Sequence, residues 1–234
     1  MLDIGGITLH TGWKLETAAQ LAALHTSHDA VFLGMGLAST QRLGLAGEDL
    51  GGVQDAVDFI ATLRQTEDKS TLPIGRRVIV IGGGMTAVDA AVQAKLLGAH
   101  VVHMVYRRGP EHLSASKDEQ EWAQTNGVVL HHWLAPVELQ GADGHVSAVR
   151  FAEQAMVNGK LQATGRGITW EVDQVFKAIG QTLGNAVLAD AGLTLSHGRI
   201  ATDSEGQTNL PSVWAGGDCR AGGLDLTVEA VEHG

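Results

Sequence analysis

Gly82, Gly83, Gly84 and Ala87, followed by the pair Arg107 and Arg108, are the residues whose types and spacing could do chemistry, and that chemistry is the binding of phosphate. In a G-x-G-x-x-A pattern Gly82 permits a tight turn, Gly84 lets backbone approach a pyrophosphate, and Ala87 lets a helix pack closely on a strand. A helix opening at Met85 and Thr86 presents unpaired N–H groups to the phosphates. The motif carries weight through its context. An apolar, β-branched stretch at 77–81 precedes it, an alanine-rich helix ending at Gly98 follows, and a second apolar strand runs over 101–105. That order is half of a dinucleotide fold. The second strand ends in Tyr106-Arg107-Arg108. A site for NAD usually has Asp or Glu there for the ribose 2′-OH, whereas a 2′-phosphate calls for cations. Two guanidiniums can clamp such a phosphate, and no carboxylate follows before Glu111, so NADP is favoured over NAD; the alternative for one of the two arginines is a solvated loop charge.

Other reactive residue types are sparse or scattered. The single cysteine, Cys219, excludes an internal disulfide, a C-x-x-C redox pair and a cysteine-ligated Fe–S cluster within this sequence. Electrons entering here must leave by another carrier. The eleven histidines are dispersed, and neighbours such as His131 and His132 on a strand point to opposite faces, so no metal site is expected. The net charge of −10 argues against nucleic acid or anionic membrane as partner. There is no apolar run of about eighteen residues and no signal-peptide pattern at Met1, which leaves a cytoplasmic location as the expectation. With 44% hydrophobic residues in 234, the sequence has material for one large or two small domains.

Stepping outward to the elements, 1–52 opens with a short strand at 7–10 and a helix from 17 to about 26, patterned by Leu15, Leu21 and Leu24. A buried strand from Asp29 then runs into Gly34-Met35-Gly36, an end that is either a structural turn or the lining of a ligand cleft. A near-copy, Val172-Asp173-Gln174-Val175-Phe176-Lys177-Ala178-Ile179-Gly180-Gln181, occurs later. Two D-x-V-F…G strands thus flank the glycine unit, the pattern of a chain that leaves one domain, builds a second and returns. A helix is predicted over 55–65, and 67–75, with Pro73, is a polar loop. Ser116 and Glu119 form a capping box for a helix that ends at Gly127. Lys117, Asp118, Glu119 and Glu121 read as its solvated, dipole-matched face, with Lys117 beside the nucleotide phosphates as the alternative. Strands at 128–133, 146–155 and 160–163, the last two joined through Asn158-Gly159, make a small antiparallel layer over one face of the sheet. Finally, 208–218 runs a strand into Gly216-Gly217-Asp218, and a helix starts at Leu226-Thr227-Val228. Asp218 can accept from a polyol hydroxyl or cap a turn, and the helix start can stabilise negative charge.

Taken together, 29–36, 82–87, 177–181 and 208–218 resemble the two-dinucleotide-fold flavoprotein reductases of the pyridine nucleotide-disulfide oxidoreductase fold. More narrowly, Tyr106-Arg107-Arg108, Ala115-Ser116-Lys117-Asp118-Glu119, Ala135-Pro136-Val137-Glu138 and Lys177-Ala178-Ile179-Gly180-Gln181 are similar to the glutamate synthase small-subunit group. Within it they are most similar to the NAD(P)H-accepting part of dihydropyrimidine dehydrogenase. The resemblance covers essentially the whole sequence. It implies an α/β class, with a Rossmann-like (β-β-α) NAD(P)H-binding domain at 53–181 inserted into a partial FAD-binding domain formed by 1–52 and 182–234. It further implies hydride transfer from NADPH to FAD, then electron transfer through Fe–S centres to a partner active site. By position, Gly82, Gly83, Gly84, Met85, Thr86, Ala87, Arg107 and Arg108 would hold the nicotinamide cofactor, and Lys117, Ala178, Ile179, Gly180, Gly34 and Gly217 are further cofactor contacts. Asp218 would bind the flavin ribityl chain, and Leu226, Thr227 and Val228 would face the flavin O2 edge. No side chain need act as acid or base, because the protein's part is to stack nicotinamide on flavin and tune it.

The family begins with cysteine-rich Fe–S sequence and a first G-x-G-x-x-G unit for the FAD pyrophosphate, and this sequence has neither. Gly5-Gly6 is no substitute, being followed by no glycine-led helix, and the closing helix stops at Gly234. The expectation is therefore an N-terminally incomplete portion whose missing Fe–S and FAD half lies elsewhere in a longer protein or on a catalytic partner subunit. Such a chain alone should bind FAD poorly and expose apolar surface that favours a homo-oligomer. The alternative is a non-catalytic NAD(P)-binding or regulatory module, marked by Arg107 and Arg108 holding cofactor without diaphorase activity. A disulfide reductase is disfavoured by the lack of paired cysteines.

Overall fold

The computed structural model describes residues 5–184, 186–223 and 226–234. In chain order the elements begin with α1 (Ala18–Ser27), β1 (Val31–Leu33), β2 (Ser39–Thr40), β3 (Val53–Asp55), α2 (Ala56–Gln65), β4 (Arg77–Ile81), α3 (Met85–Leu96) and β5 (Val101–Val105). Next come α4 (Lys117–Thr125), β6 (Val128–His131), β7 (Leu134–Ala142), β8 (His145–Val157), β9 (Lys160–Glu171) and β10 (Gln174–Lys177). The chain closes with β11 (Gln181–Thr182), α5 (Ala186–Asp190), β12 (Leu195–Ser196), β13 (Arg199–Ile200), β14 (Val213–Ala215) and α6 (Thr227–Glu232). These elements form two compact units, residues 41–180 and residues 1–40 with 181–234.

The 41–180 unit is built on a five-stranded parallel sheet of order β3-β10-β4-β5-β6. Helices cover one face and an antiparallel layer, β7-β8-β9, covers the other. In β4, Val78 and Val80 enter the core shared with α2, α3 and α4, while Ile79 and Ile81 enter the opposite core with Val149 and Phe151 of β8. Burial on both faces is why this strand reads as a continuous β-branched run rather than as an alternation. Ala87, Ala90, Ala91 and Ala94 of α3 are all fully buried, so the small side chains of this helix are what lets it lie close to the sheet. The predicted capping box opens α4: Ser116 Oγ accepts from Glu119 N–H at 3.2 Å, and the Glu119 carboxylate accepts from Ser116 N–H at 2.7 Å.

The antiparallel layer is larger than the sequence suggests. Of the three strands expected there, 128–131 joins the parallel sheet as β6 instead, while β7 is present beside β8 where no alternation marked a strand and β9 runs on to Glu171. The hairpin turn does fall at Asn158-Gly159. Asp173, the first residue of the second D-x-V-F copy, accepts from both the backbone and the guanidinium of Arg77, at 2.8 and 2.6 Å, and so ties β10 to β4. This bonding, with Arg77 foremost and against its partial burial, holds the Asp173 carboxyl below its usual range.

In the other unit β1 and β14 pair in parallel, Val31 with Val213 and Leu33 with Ala215, over a core of Leu21, Leu183, Leu188, Leu193, Ile200 and Cys219. The short strand expected at 7–10 does not form. Among the described residues 7–10 have no strand partner, and Ile7 and Leu9 are 54% and 65% exposed, so two apolar positions in alternation are left unburied. Among the described residues no helix is long and apolar enough to cross a membrane.

Candidate dinucleotide-binding site

In an open parallel sheet, ligands bind outside the carboxyl ends of the strands, where the strand order reverses. Here that point lies at the ends of β4 and β10, since the chain leaves β4 towards β5 on one side while β10 and β3 lie on the other. The glycine turn sits there. Gly82 has φ +153°, and a Cβ on it would collide with the Ala178 carbonyl, while the Ala178 N–H donates to Ile81 O at 2.8 Å. Only glycine allows that approach. A Cβ on Gly83 would lie 2.6 Å from Tyr106 and from Leu113, whereas one on Gly84 would meet only the Ser114 hydroxyl, at 3.0 Å. The Gly83 carbonyl is fixed by the N–H groups of Ser114 and Ala115, both at 3.1 Å. At the start of α3, Ala87 and Val88 N–H turn back to Gly84 O at 3.0 and 3.1 Å. Among the described residues, no backbone acceptor takes the N–H of Met85 or Thr86, so two donors and the positive end of the helix face outward. An open groove of about 400 Å³ runs past Met85 and Thr86 towards Glu119 and Trp122.

Arg107 and Arg108 follow shortly after β5, both exposed, and among the described residues neither side chain makes a hydrogen bond or ion pair. Lys117, the first residue of α4, is likewise exposed and unpaired, two residues beyond the Ala115 that binds Gly83. The structure thus brings the glycine turn, Ala178 and the segment leading to Lys117 together, and sets the arginines at the adjacent strand end. Ile179 and Gly180 continue from Ala178, with Gly180 at φ +113°.

Beside this point lies a buried ionic cluster that the sequence did not announce. Lys177 Nζ is 2.9 Å from Glu48 Oε1 and 3.4 Å from Asp55 Oδ1, with side-chain exposures of 9%, 2% and 20%. Glu48 also accepts from the N–H groups of Leu43 and Gly44, at 2.8 and 2.9 Å. Burial pushes the Glu48 carboxyl up, but Lys177 and the two N–H donors outweigh it and hold it at about 2.

The remaining expected positions lie in the other unit. Gly34 follows β1, and Gly216 N–H donates to Leu33 O at 3.3 Å, which sets Gly34 beside the Gly216-Gly217 turn. Gly217 has φ +66° and donates its N–H to His233 Nδ1 at 3.1 Å, a contact that no sequence signal marked. Asp218 is half-buried and, among the described residues, makes no hydrogen bond or ion pair. Leu226 precedes α6, a helix of six residues, and Leu226, Thr227 and Val228 are exposed.

A parallel sheet with an anion-ready glycine turn at its switch point defines a dinucleotide-binding α/β protein. The chain belongs to the pyridine nucleotide-disulphide oxidoreductase family, whose profile matches residues 2–234. It is 34% identical to the glutamate synthase [NADPH] small chain of Escherichia coli, over 98% of this chain and 53% of that protein. It is 30% identical to the NADP(+)-dependent formate dehydrogenase subunit beta of Moorella thermoacetica, over 98% of this chain and 33% of that protein. The chain therefore spans between a third and about half of these relatives. FprA of Mycobacterium tuberculosis, solved in complex with NADPH, shares the fold, with a TM-score of 0.71, 20% identity, and coverage of 93% of this chain and 64% of that one.

Proposed function

We propose that this chain is the NAD(P)H-accepting part of a flavoprotein oxidoreductase, with NADP as the favoured nucleotide. The observation that carries this reading is one sheet edge combining a glycine turn, helix N–H groups with no backbone acceptor and two exposed arginine side chains with no partner among the described residues. The N–H groups of Met85 and Thr86 hold the pyrophosphate over Gly82, Gly83 and Gly84, with Ala87 keeping α3 close to the sheet. Arg107 and Arg108 clamp the 2′-phosphate, and Lys117 adds a third cation at the rim. The backbone of Ala178, Ile179 and Gly180 borders the far side of the turn.

For FAD, the carboxylate of Asp218, without a partner among the described residues and beside a glycine turn, is suited to accept from a ribityl hydroxyl. Gly34 and Gly217 leave room for the cofactor, and Leu226, Thr227 and Val228 face the flavin. Bound FAD supplies a ring that takes a hydride with its electron pair from reduced nicotinamide and releases electrons singly. The chain's own groups bind and orient, and none of them need move a proton. With one cysteine, the chain hands electrons to Fe–S centres outside it and through them to a catalytic partner. Two relatives are by name a small chain and a beta subunit, which supports a module that serves a larger enzyme.

The test is NADPH-driven ferricyanide reduction by the full-length protein loaded with FAD, with and without Arg107→Ala and Arg108→Ala. FAD-dependent turnover that falls in both variants is expected. Tight NADPH binding with no FAD-dependent turnover would instead establish a non-catalytic nucleotide-binding module.

A further inference from the structure

Five non-glycine residues among those described have positive φ: Trp133, Asp143, Asn158, His197 and Ser212. Asp143, Asn158 and His197 each precede a glycine in a tight hairpin, and Ser212 lies in the turn before β14, places where such residues are at home. Trp133 is different. It is a bulky aromatic at φ +62°, in the joint between β6 and β7, and a residue held this way costs on the order of 1–3 kcal/mol and persists only where its surroundings over-determine it.

The surroundings here are the turn that carries the two arginines. Tyr106 N–H donates to His131 O at 2.8 Å, Trp133 N–H to Arg108 O at 3.2 Å, and Leu134 N–H to Tyr106 O at 3.2 Å. Gln154 N–H donates to Trp133 O at 2.7 Å from β8. These bonds lace the joint to the turn peptide by peptide. The indole completes the hold: a Cβ on buried Gly109 would lie 2.6 Å from Trp133 Cζ2 and would also collide with the Glu111 carboxylate. An aromatic edge and an acid thus crowd the Cβ face of Gly109, directly after two exposed guanidiniums.

We propose that Trp133 is the positioning residue that sets nucleotide specificity, its left-handed backbone and indole fixing the 106–109 turn so that Arg107 and Arg108 meet a 2′-phosphate at a defined place. A long, exposed arginine carries about 2 kcal/mol of rotamer freedom, so a clamp made of two works only if their backbone does not also wander. Without the indole the turn loses its support against Gly109, and the guanidiniums lose their common aim. This inference rests on the reading that these arginines receive the 2′-phosphate of NADP.

The test is calorimetric titration of the chain with NADPH and with NADH, for the wild type and for Trp133→Phe, Trp133→Leu, Trp133→Ala and Trp133→Gly, with a thermal melt of each. The alanine, leucine and glycine variants should lose about tenfold or more in NADPH affinity while NADH changes by less than about twofold, and phenylalanine should keep the preference. Glycine, free of the positive-φ penalty, should melt no lower than alanine and still lose the preference. A merely structural tryptophan would lower both affinities together. Variants that fold and keep the wild-type NADPH-to-NADH ratio would overturn the role of Trp133 and leave the arginine clamp standing. If the small-residue variants do not fold, the leucine variant decides by the same ratio. A wild type that shows no preference at all removes the clamp itself, and this inference with it.

Discussion

Lys177→Met tests the buried cluster beside the site most directly. The substitution removes an ammonium that faces Glu48 at 2.9 Å and Asp55 at 3.4 Å. It leaves Glu48, whose side chain is 2% exposed, with the N–H groups of Leu43 and Gly44 and the Arg42 guanidinium at 3.6 Å. Breaking a buried pair by deleting one partner costs about 3–5 kcal/mol, because the remaining charge is stranded. The fall of the Glu48 carboxyl from 4.5 to about 2 gives a second figure. At about 1.4 kcal/mol per pH unit it amounts to about 3 kcal/mol, shared between Lys177 and the two N–H donors. The two routes converge on a loss of about 2–4 kcal/mol at neutral pH.

The sign with pH follows from the direction of that shift. Glu48 is depressed in the folded chain, so its contribution is complete above its ordinary value of 4.5 and is lost as pH falls towards about 2. Urea unfolding followed by far-UV circular dichroism should therefore show a large deficit for Lys177→Met at neutral pH that shrinks in the acid range. The double variant Lys177→Met with Glu48→Gln should recover much of the deficit, since no carboxylate is then left at position 48. A deficit below about 1 kcal/mol at neutral pH, or one that does not change with acid, would refute the argument.

Three further outcomes are expected. Arg107→Ala and Arg108→Ala should each weaken NADPH by about ten- to a hundredfold, the worth of one charge-assisted pair at about 1.5–3 kcal/mol, and leave NADH unchanged; equal losses for both nucleotides would count against a 2′-phosphate clamp. Gly82→Ala drives a methyl into the Ala178 carbonyl and should destabilise the 41–180 unit by about 2 kcal/mol or more, whereas Gly84→Ala meets only a hydroxyl that can swing aside; thermal melts that rank them the other way would sink the geometry. His103 Nδ1 and His131 Nε2 are 2.9 Å apart against Trp170. Burial lowers both rings below 6.5, His131 also through the charge of His103, so protons bind the unfolded chain more readily and stability falls as pH drops through that window. His103→Phe should flatten stability between about pH 7 and 5, and an unchanged slope would exclude the pair as its source.

What was legible in the sequence is what local sterics decide. Three glycines between a β-branched strand and an alanine-rich helix admit few backbone solutions, and the turn formed where that pattern placed it. The capping box of α4 and the Asn158-Gly159 hairpin were readable for the same reason. What stayed hidden depends on partners distant in sequence. Glu48 and Lys177 are 129 positions apart, and His103 and His131 are 28 apart. No periodicity or motif marks such pairs, because they exist only once β10 is inserted between β3 and β4 and β6 is laid beside β5. The strand expected at 7–10 failed from the same cause, since apolar alternation predicts a face but cannot supply the neighbour that covers it.

The two D-x-V-F copies show how far such reasoning carries. Both became parallel strands, the first running directly into Gly34 and the second followed by Ala178, Ile179 and Gly180. Yet the first lies against β14 in the unit of residues 1–40 and 181–234, and the second became an inner strand of the 41–180 sheet. Asp173 has Arg77 at the start of the neighbouring strand, and that pairing draws its copy into the sheet built around the glycine turn. Val31 instead donates to Ser212 O and takes its register from β14. Identical local patterns thus give identical local structure, while the long-range partner chooses the sheet. The same division runs through the proposed site. The pyrophosphate end relies on backbone N–H groups and glycine sterics, which a short motif fixes. The 2′-phosphate end relies on two flexible guanidiniums whose aim depends on Trp133, and nucleotide preference should therefore be easier to change by substitution than nucleotide binding itself.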